Sequence, residues 1–344
     1  MNARGLCVVG AGVWSPAGRT AAEAARILRT GIPAVRPAPF SDGTGAPITM
    51  GVAPGLGSLE GLDRLAALSE RAAKTCLLEV TEREPTLASR VGLAVVYSPI
   101  EVVTLGDANR MSASLARGLR LDKAAPVRGV ADGASSAADI LEEACGWVAR
   151  GEVDLCLVGG CHSDHTKDRI RALHEAGRLY TNENITGSFP GEHAAFVAIT
   201  NLGRARRTAP LATLVAAGAE DGPLFGPDAL SVTPEILRSI LPEGLAVRAG
   251  WVFGDLAFDP TSIREHGALL VRAGDYLTAP HHLDYPAQRI GALGAAALPL
   301  GLAMVATSWQ LGRVPSPAAI VLSQNDAGRR GVVVLRQPEE RRAE

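Results

Sequence analysis

Reactive side chains are scarce in this sequence: 5 Cys and 7 His serve 344 residues. Any thiol or imidazole chemistry must come from very few positions. An odd number of scattered cysteines argues against a disulfide framework and fits reduced thiols in a cytoplasm. Charge of one sign is also lacking. Lys plus Arg number 34 against 36 Asp plus Glu, a formal net charge of −2, so no global field draws the chain to nucleic acid or an anionic membrane. Short arginine pairs such as Arg206-Arg207 are the only local exceptions. There is no low-complexity tract or short-period repeat. The N-terminus runs straight into Leu6-Cys7-Val8-Val9, with no long apolar stretch and no cleavage site, and so predicts a first strand rather than a signal peptide. One uncharged run of 20 residues, Ile290 to Trp309, is long enough for a bilayer. Its Ala and Gly content, its internal Pro299 and its isolation predict a helix buried in a soluble core, with no membrane insertion.

What is present is a large apolar fraction. Hydrophobic residues make up 47%, enough for one big domain or two of about 150 residues each. Leu6–Val9, Val91–Val96, Leu155–Val158, Ala194–Thr200, Ala319–Leu322 and Val332–Leu335 are short and rich in Val, Ile, Leu or Ala, as strands buried on both faces tend to be. Between them lie helical spacings: Leu62, Leu65, Ala66, Ala72, Ala73 and Cys76, then Ala134, Ala137, Ala138, Leu141, Ala144, Cys145 and Val148 up to Gly151. This alternation predicts an α/β fold with a mostly parallel sheet. The polar stretch Asn201–Thr208 divides the chain into an N-terminal half, 1–205, and a C-terminal half, 206–344. The halves echo each other: Ala134–Val158 and Gly291–Leu322 each give a small-residue helix, a glycine and a strand.

Three segments carry a specific pattern. The first is Val8-Val9-Gly10-Ala11-Gly12-Val13-Trp14-Ser15-Pro16, which reads as a strand and turn, with a helix to follow that ends near Gly31. The second is Ala134-Ser135-Ser136 with Cys145, Arg150-Gly151-Glu152, Asp154 and Val158-Gly159-Gly160. The third is Phe189-Pro190-Gly191-Glu192-His193-Ala194-Ala195-Phe196. Together they resemble β-ketoacyl synthases of the thiolase fold, in which the third reads Gly-Glu-Gly-Ala, with His193 here where a glycine is usual. The resemblance implies a thiolase-like architecture: two related α/β halves in a five-layer αβαβα arrangement, with the small-residue helices at the centre.

It also implies a chemistry whose parts are missing. The family's nucleophile is a cysteine at a helix N-terminus, where unpaired N–H groups and the helix dipole favour the thiolate. Two histidines then stabilise the enolate formed on decarboxylation. The nucleophile position, 17 residues before Gly151 and 25 before Gly159, is Ala134. Counting back eight from Asp259 of the Asp259-Pro260 pair puts Trp251 at the first histidine position. Ala287-Gln288 followed by Gly291 and Gly294 puts Gln288 at the second, with Leu283 in place of a lysine. The family's Gly-Phe-Gly-Gly loop becomes Asn325-Asp326-Ala327-Gly328. Groups that act as a unit are non-additive, so these losses together predict a ketosynthase-like protein without condensing activity, similar to chain-length-factor subunits.

Other residues could line the pocket: Ser135, Cys161, His193 and Asn325 are the candidates. Ser135 and Ser136 fit a helix cap better than a nucleophile, since no base lies near them in sequence. Cys161-His162-Ser163-Asp164-His165 follows Gly159-Gly160, a strand end where α/β folds place ligands. The i, i+4 pair Cys161 and His165 would share a helix face. Only His281-His282 with Asp284, read as a loop rim, could complete a metal set, so no metal and no cofactor are expected. His193 fits pocket filling or a lone acid/base. Expected partners are a second copy or an active ketosynthase in a dimer formed through a strand of the first half, together with an acyl carrier protein. A scaffold role and an acyltransferase using Cys161 or His193 are the alternatives. The expected location is the cytoplasm.

Overall fold

The computed structural model describes residues 3, 5–98, 104–131, 136–205, 209–223, 226, 228–241, 247–255, 260–324 and 328–339. Ala134, Ser135, Asn325, Asp259 and the pair Arg206-Arg207 lie outside the described residues. In chain order the first half contains β1 (Leu6–Trp14), α1 (Ala21–Thr30), β2 (Arg36–Ser41), β3 (Pro47–Met50), α2 (Gly61–Arg83) and β4 (Val91–Tyr97). It continues with α3 (Leu105–Gly118), β5 (Val127–Ala131), α4 (Ser136–Ala149), β6 (Leu155–Ser163), α5 (Lys167–Glu175) and β7 (Glu192–Asn201). The second half contains β8 (Ala212–Glu220), α6 (Val232–Ile240), β9 (Ala249–Gly254), α7 (Pro260–Arg272) and β10 (Leu277–Asp284). It ends with α8 (Ala287–Ile290), α9 (Ala297–Gln310), β11 (Ala318–Gln324) and β12 (Arg330–Arg336).

Among the described residues ten strands hydrogen-bond in the order β10-β9-β11-β12-β8-β1-β7-β6-β4-β5, and β2-β3 form a separate ribbon. The order β5-β4-β6-β7-β1 of the first half recurs as β10-β9-β11-β12-β8 in the second. Directions recur too: β4 is parallel to β5 and β6, as β9 is to β10 and β11, and β7 and β12 are antiparallel to both neighbours. The halves meet where β1 pairs antiparallel with β8 at Cys7–Thr213 and Val8–Ala212. The sheet is therefore mixed, not mostly parallel. A short link such as that from β11 to β12 turns the chain back on itself, whereas parallel pairing needs a crossover.

The layers follow from which strand face is apolar. Val158, Ala195, Val197 and Ile199 face inward and pack with α4, α9 and the inner face of the second half around Phe253, Val321 and Val333. The alternate residues Leu157, Ala194, Phe196 and Ala198 face outward onto α2 and α3. Val252, Ile320 and Val334 face α6 and α7. Outer helices, sheet, central α4 and α9, sheet, and outer helices make the five layers of a thiolase-like fold. Thirteen residues of α9, Ala297 to Trp309, are buried, as expected for a helix apolar all round. Pro299 is tolerated because it sits in the first turn, where its missing N–H has no intrahelical partner. No helix among the described residues is long and apolar enough to cross a membrane.

Local signals place α1 as expected. Thr20 caps its N-terminus by accepting from Glu23 N, and Gly31 closes it in the left-handed region with φ 73°. Two strands run past the glycines that looked like their ends. β1 continues through Gly10 and Gly12 to Trp14, and β6 continues through Gly159 and Gly160 to Ser163. These glycines admit close neighbours: a Cβ on Gly12 would meet the α2 backbone at Ala72, and one on Gly160 the backbone of Ala295.

Candidate functional site

The end of α4 where the resemblance puts the nucleophile is tied to the start of β12. Asp139, in the first turn of α4, accepts two bonds from Arg329, Nε to Oδ2 at 3.0 Å and Nη2 to Oδ1 at 2.6 Å. Arg329 also pairs with Asp221 at 3.0 Å. The described flanks of the Ala134 and Asn325 segments thus come together beside the ends of β11 and β8.

Trp251 and Gln288 sit elsewhere. Trp251 is 1% exposed, in mid-β9, three residues before the strand's C-terminal end at Gly254. Its indole Nε1 donates to Asp284 Oδ2 at 3.0 Å, and its ring meets Trp309 edge-on at 6.1 Å. Arg313 lies 5.5 Å from the ring centroid. The indole closes a small cavity with Leu28, Phe253, Met304 and Ser308, between α1 and α9. Gln288 is half-buried in the four-residue α8, and Leu283 is exposed on the edge strand β10. His281, His282 and Asp284 belong to β10 and not to a loop rim; Asp284 is a hub for Trp251, His282 (3.2 Å) and Arg313 (3.4 Å).

Cys161 is in β6, not on a helix, so Cys161 and His165 share no helix face. Its side chain points to the outer layer, where Sγ donates to Leu65 O at 3.4 Å, and burial pushes its thiol up to about 12. Cys7 and Cys145 are also pushed up to about 12 by burial, and Cys76 and Cys156 well above the usual range. All five cysteines are free and buried. Since the thiolate is the reactive form, none has the setting of a nucleophile. No group of three or more metal-ligating side chains forms among the described residues.

The inner face of β6 and β7 is different. His162 and His193 are register partners, and in an antiparallel pair they share one face. His162 Nδ1 lies 2.7 Å from Ser98 Oγ, and its Nε2 lies 2.9 Å from Asp164 Oδ2. Asp164 also accepts from Arg169 Nε at 2.8 Å and Gly191 N at 3.1 Å. Burial alone would raise the Asp164 carboxyl, but His162 and Arg169 hold it below the usual carboxylate range. His193 is fully buried; neither ring nitrogen makes a hydrogen bond of full geometry among the described residues, and the backbone of Ile290 and Gly291 lies close to the ring. Burial, reinforced by His162, lowers its pKa to about 3, so it is neutral at pH 7. Next to it, Glu192 accepts from Arg64 through both carboxylate oxygens and from Ser163 at 2.8 Å. Ser98, His162, Asp164 and Arg64 had no sequence signal as a set. Ser98 lies 64 residues from His162, and only strand order brings them together.

Residues 95–198 match the family model described as Beta-ketoacyl synthase, N-terminal domain. No curated protein is matched by the sequence. Among solved structures, the ketosynthase from module 6 of the bacillaene synthase from Bacillus subtilis 168 superposes with TM-score 0.79 at 16% identity, covering 98% of this chain and 73% of that one. The ishigamide ketosynthase/chain length factor gives 0.74 at 19%, covering 97% and 99%. A type II polyketide synthase acyl-carrier protein in complex with its ketosynthase bound to the hexaketide gives 0.78 at 15%, also covering 97% and 99%. The protein is an α/β protein with the thiolase-like ketosynthase fold. More narrowly, residues 95–198 are similar to the N-terminal domain of β-ketoacyl synthases, and the whole chain shares the fold of the ketosynthase structures named above.

Proposed function

We propose that this chain is a non-condensing ketosynthase-like subunit that works beside an active ketosynthase in polyketide- or fatty-acid-type assembly in the cytoplasm. The observation that carries the reading is chemical: alanine holds position 134, and the five thiols are buried with their pKa values raised. Alanine cannot be acylated, and Trp251 and Gln288 supply no imidazole for an enolate. Trp251, its indole committed to Asp284 and packed on Trp309 in mid-β9, offers no donor to an enolate. The division into halves at 205/206 is part of this reading.

The dimer contact is assigned to β5. It ends the sheet at one edge, Val127 is exposed, and an unpaired strand edge is a template for a partner's strand. The solved ketosynthase/chain length factor and the acyl-carrier-protein complex are the precedents for synthase and carrier-protein partners. The test is affinity purification of the tagged full chain from its native cell, with mass spectrometry of what accompanies it. A ketosynthase or acyl carrier protein in stoichiometric amount supports the reading, and their absence sinks it in favour of a scaffold role.

A further inference from the structure

The matched strand orders give the molecule two equivalent places where parallel strands end against the start of a central helix. One joins the start of α4, through Asp139 and Arg329, to the start of β12 beside the ends of β11 and β8, the place that the resemblance assigns to the nucleophile. The other joins the ends of β4 and β6 to the turn Gly294–Ala296 that leads into α9. At the second place stand Ser98, His162 and Asp164. The Asp164 carboxylate only accepts, so His162 carries its proton on Nε2 and presents Nδ1 as the acceptor for the Ser98 hydroxyl. Ala295 N donates to Ser98 Oγ at 3.0 Å. Arg169 fixes Asp164 from the far side. Gly294, at φ +48°, leaves room for this approach, because a Cβ there would fall on the His162 ring and on Ser98 Oγ. Serine, base and orienting carboxylate are thus joined by hydrogen bonds, the arrangement that activates a hydroxyl.

A second observation bears on the same place. His193 shares the face of His162 and is fully buried; neither ring nitrogen makes a hydrogen bond of full geometry among the described residues, although the backbone of Ile290 and Gly291 lies close enough to act on the ring. Buried polar groups are ordinarily fully paired, so a loosely engaged ring on the face of His162 adds a polar group to the surroundings of the relay. Ser98 keeps 6% of its surface, the most exposed of Ser98, His162, Asp164 and His193.

We propose that Ser98 is the nucleophile of a second acyl-transfer site, which accepts an acyl group from a thioester, with His162 as its base and His193 contacting the acyl carbonyl or leaving group. Ser98 Oγ attacks the thioester carbonyl as its proton passes to His162 Nδ1. A C–O bond forms and the C–S bond breaks, and the leaving thiolate takes the proton back from His162. Water then cleaves the ester by the same route, releasing a carboxylic acid and restoring the hydroxyl. No C–C bond forms, so the step needs neither a nucleophile at position 134 nor a synthase partner. Failure to find a partner would overturn the subunit reading and leave this one standing.

The test incubates the purified full chain with acetyl- and hexanoyl-N-acetylcysteamine thioesters. Thiol release is followed, and any adduct is mapped by intact-protein and peptide mass spectrometry. Expected are catalytic thiol release or a single acyl addition on the peptide containing Ser98, either one lost in Ser98→Ala. His162→Asn should slow it by about 10²-fold or more. Ser98→Ala also removes the acceptor for Ala295 N–H, so Ser98→Cys, checked for native circular dichroism and melting, is the second variant. It should accumulate an adduct that neutral hydroxylamine cleaves. No thiol release from the wild type together with an unlabelled, folded Ser98→Cys protein overturns the proposal, as does an adduct mapped to any other residue.

Discussion

Glu192 and Arg330 are equivalent residues with exchanged charge: each is the first residue of its half's matching strand, β7 or β12, and each is buried in a two-point ion pair with an outer helix. Glu192 is held by Arg64 of α2, Nη2 to Oε2 at 2.8 Å, with Arg64 Nε on the other oxygen. Arg330 is held by Glu265 of α7, Nε to Oε1 at 2.8 Å and Nη2 to Oε2 at 3.0 Å. All four residues are buried. In each half the pair fastens an outer helix to the strand that starts beside a candidate site. The bidentate geometry makes the attachment directional as well as attractive.

Breaking one member should cost far more than replacing both. Glu192→Ala leaves the Arg64 guanidinium buried without its counter-charge, and Ala53 N and Ser163 Oγ also lose an acceptor. A loss of about 3–5 kcal/mol is expected in urea unfolding. The double variant Glu265→Leu with Arg330→Met removes both charges from the second pair and should cost much less than Arg330→Met alone. A double variant as damaged as the single one would mean that packing, not charge, holds α7.

Acid stability should depend on His193. Its folded pKa of about 3 lies below the ordinary histidine value near 6.5, so between those values the unfolded chain binds the extra proton. Its contribution is therefore fully present above about pH 6.5 and is lost as pH falls toward 3, at up to about 1.4 kcal/mol per pH unit. His266, lowered to about 4 by burial and His281, acts in the same direction. So does Asp164, whose depressed carboxyl loses its contribution as pH falls below the unfolded carboxylate range. The His193 part is isolated by comparison: chemical unfolding of His193→Leu across pH 4–7 should give a shallower slope than the wild type. Equal slopes would mean that His193 is protonated in the folded protein.

Thiol reagents should find nothing to attack in the native chain. All five cysteines are buried, with thiol pKa values pushed to about 12 or beyond by desolvation. Iodoacetamide at pH 7.5 is expected to leave the folded protein unmodified and to add five groups in urea. Rapid native labelling at Cys161 would revive a thiol mechanism.

Much of the fold is legible in the chain because strands buried on both faces must be apolar along their length. The six runs Leu6–Val9, Val91–Val96, Leu155–Val158, Ala194–Thr200, Ala319–Leu322 and Val332–Leu335 all fall inside strands. The edge strands β5 and β10 carry no such signal: Val-Arg-Gly-Val-Ala and Leu-Thr-Ala-Pro-His-His-Leu-Asp are partly exposed and read as loop. Gly159-Gly160 misleads for a different reason. Glycines usually punctuate a strand, but here they let Phe196 and Ala295 approach β6, so the strand runs on and His162 points inward instead of onto a helix. The relay from Ser98 to Asp164 depends on β4 lying next to β6, and local spacing cannot express that adjacency.

Restoring the missing nucleophile alone should not restore condensation. Ala134→Cys would put a thiol just before α4, where the helix N-terminus favours the thiolate, so acylation of the new cysteine by an activated thioester is expected. The second half-reaction needs donors aimed at the enolate oxygen. Trp251 has its only N–H engaged by Asp284, in mid-strand and away from the end of β9, and Gln288 is an amide on the short α8. Decarboxylation of a malonyl thioester by Ala134→Cys should therefore stay at the wild-type background, even where the acyl adduct forms. Condensation product from that single variant would show that the histidine positions are assigned to the wrong residues, and that a donor at the end of β9 or at the start of α9 does their work.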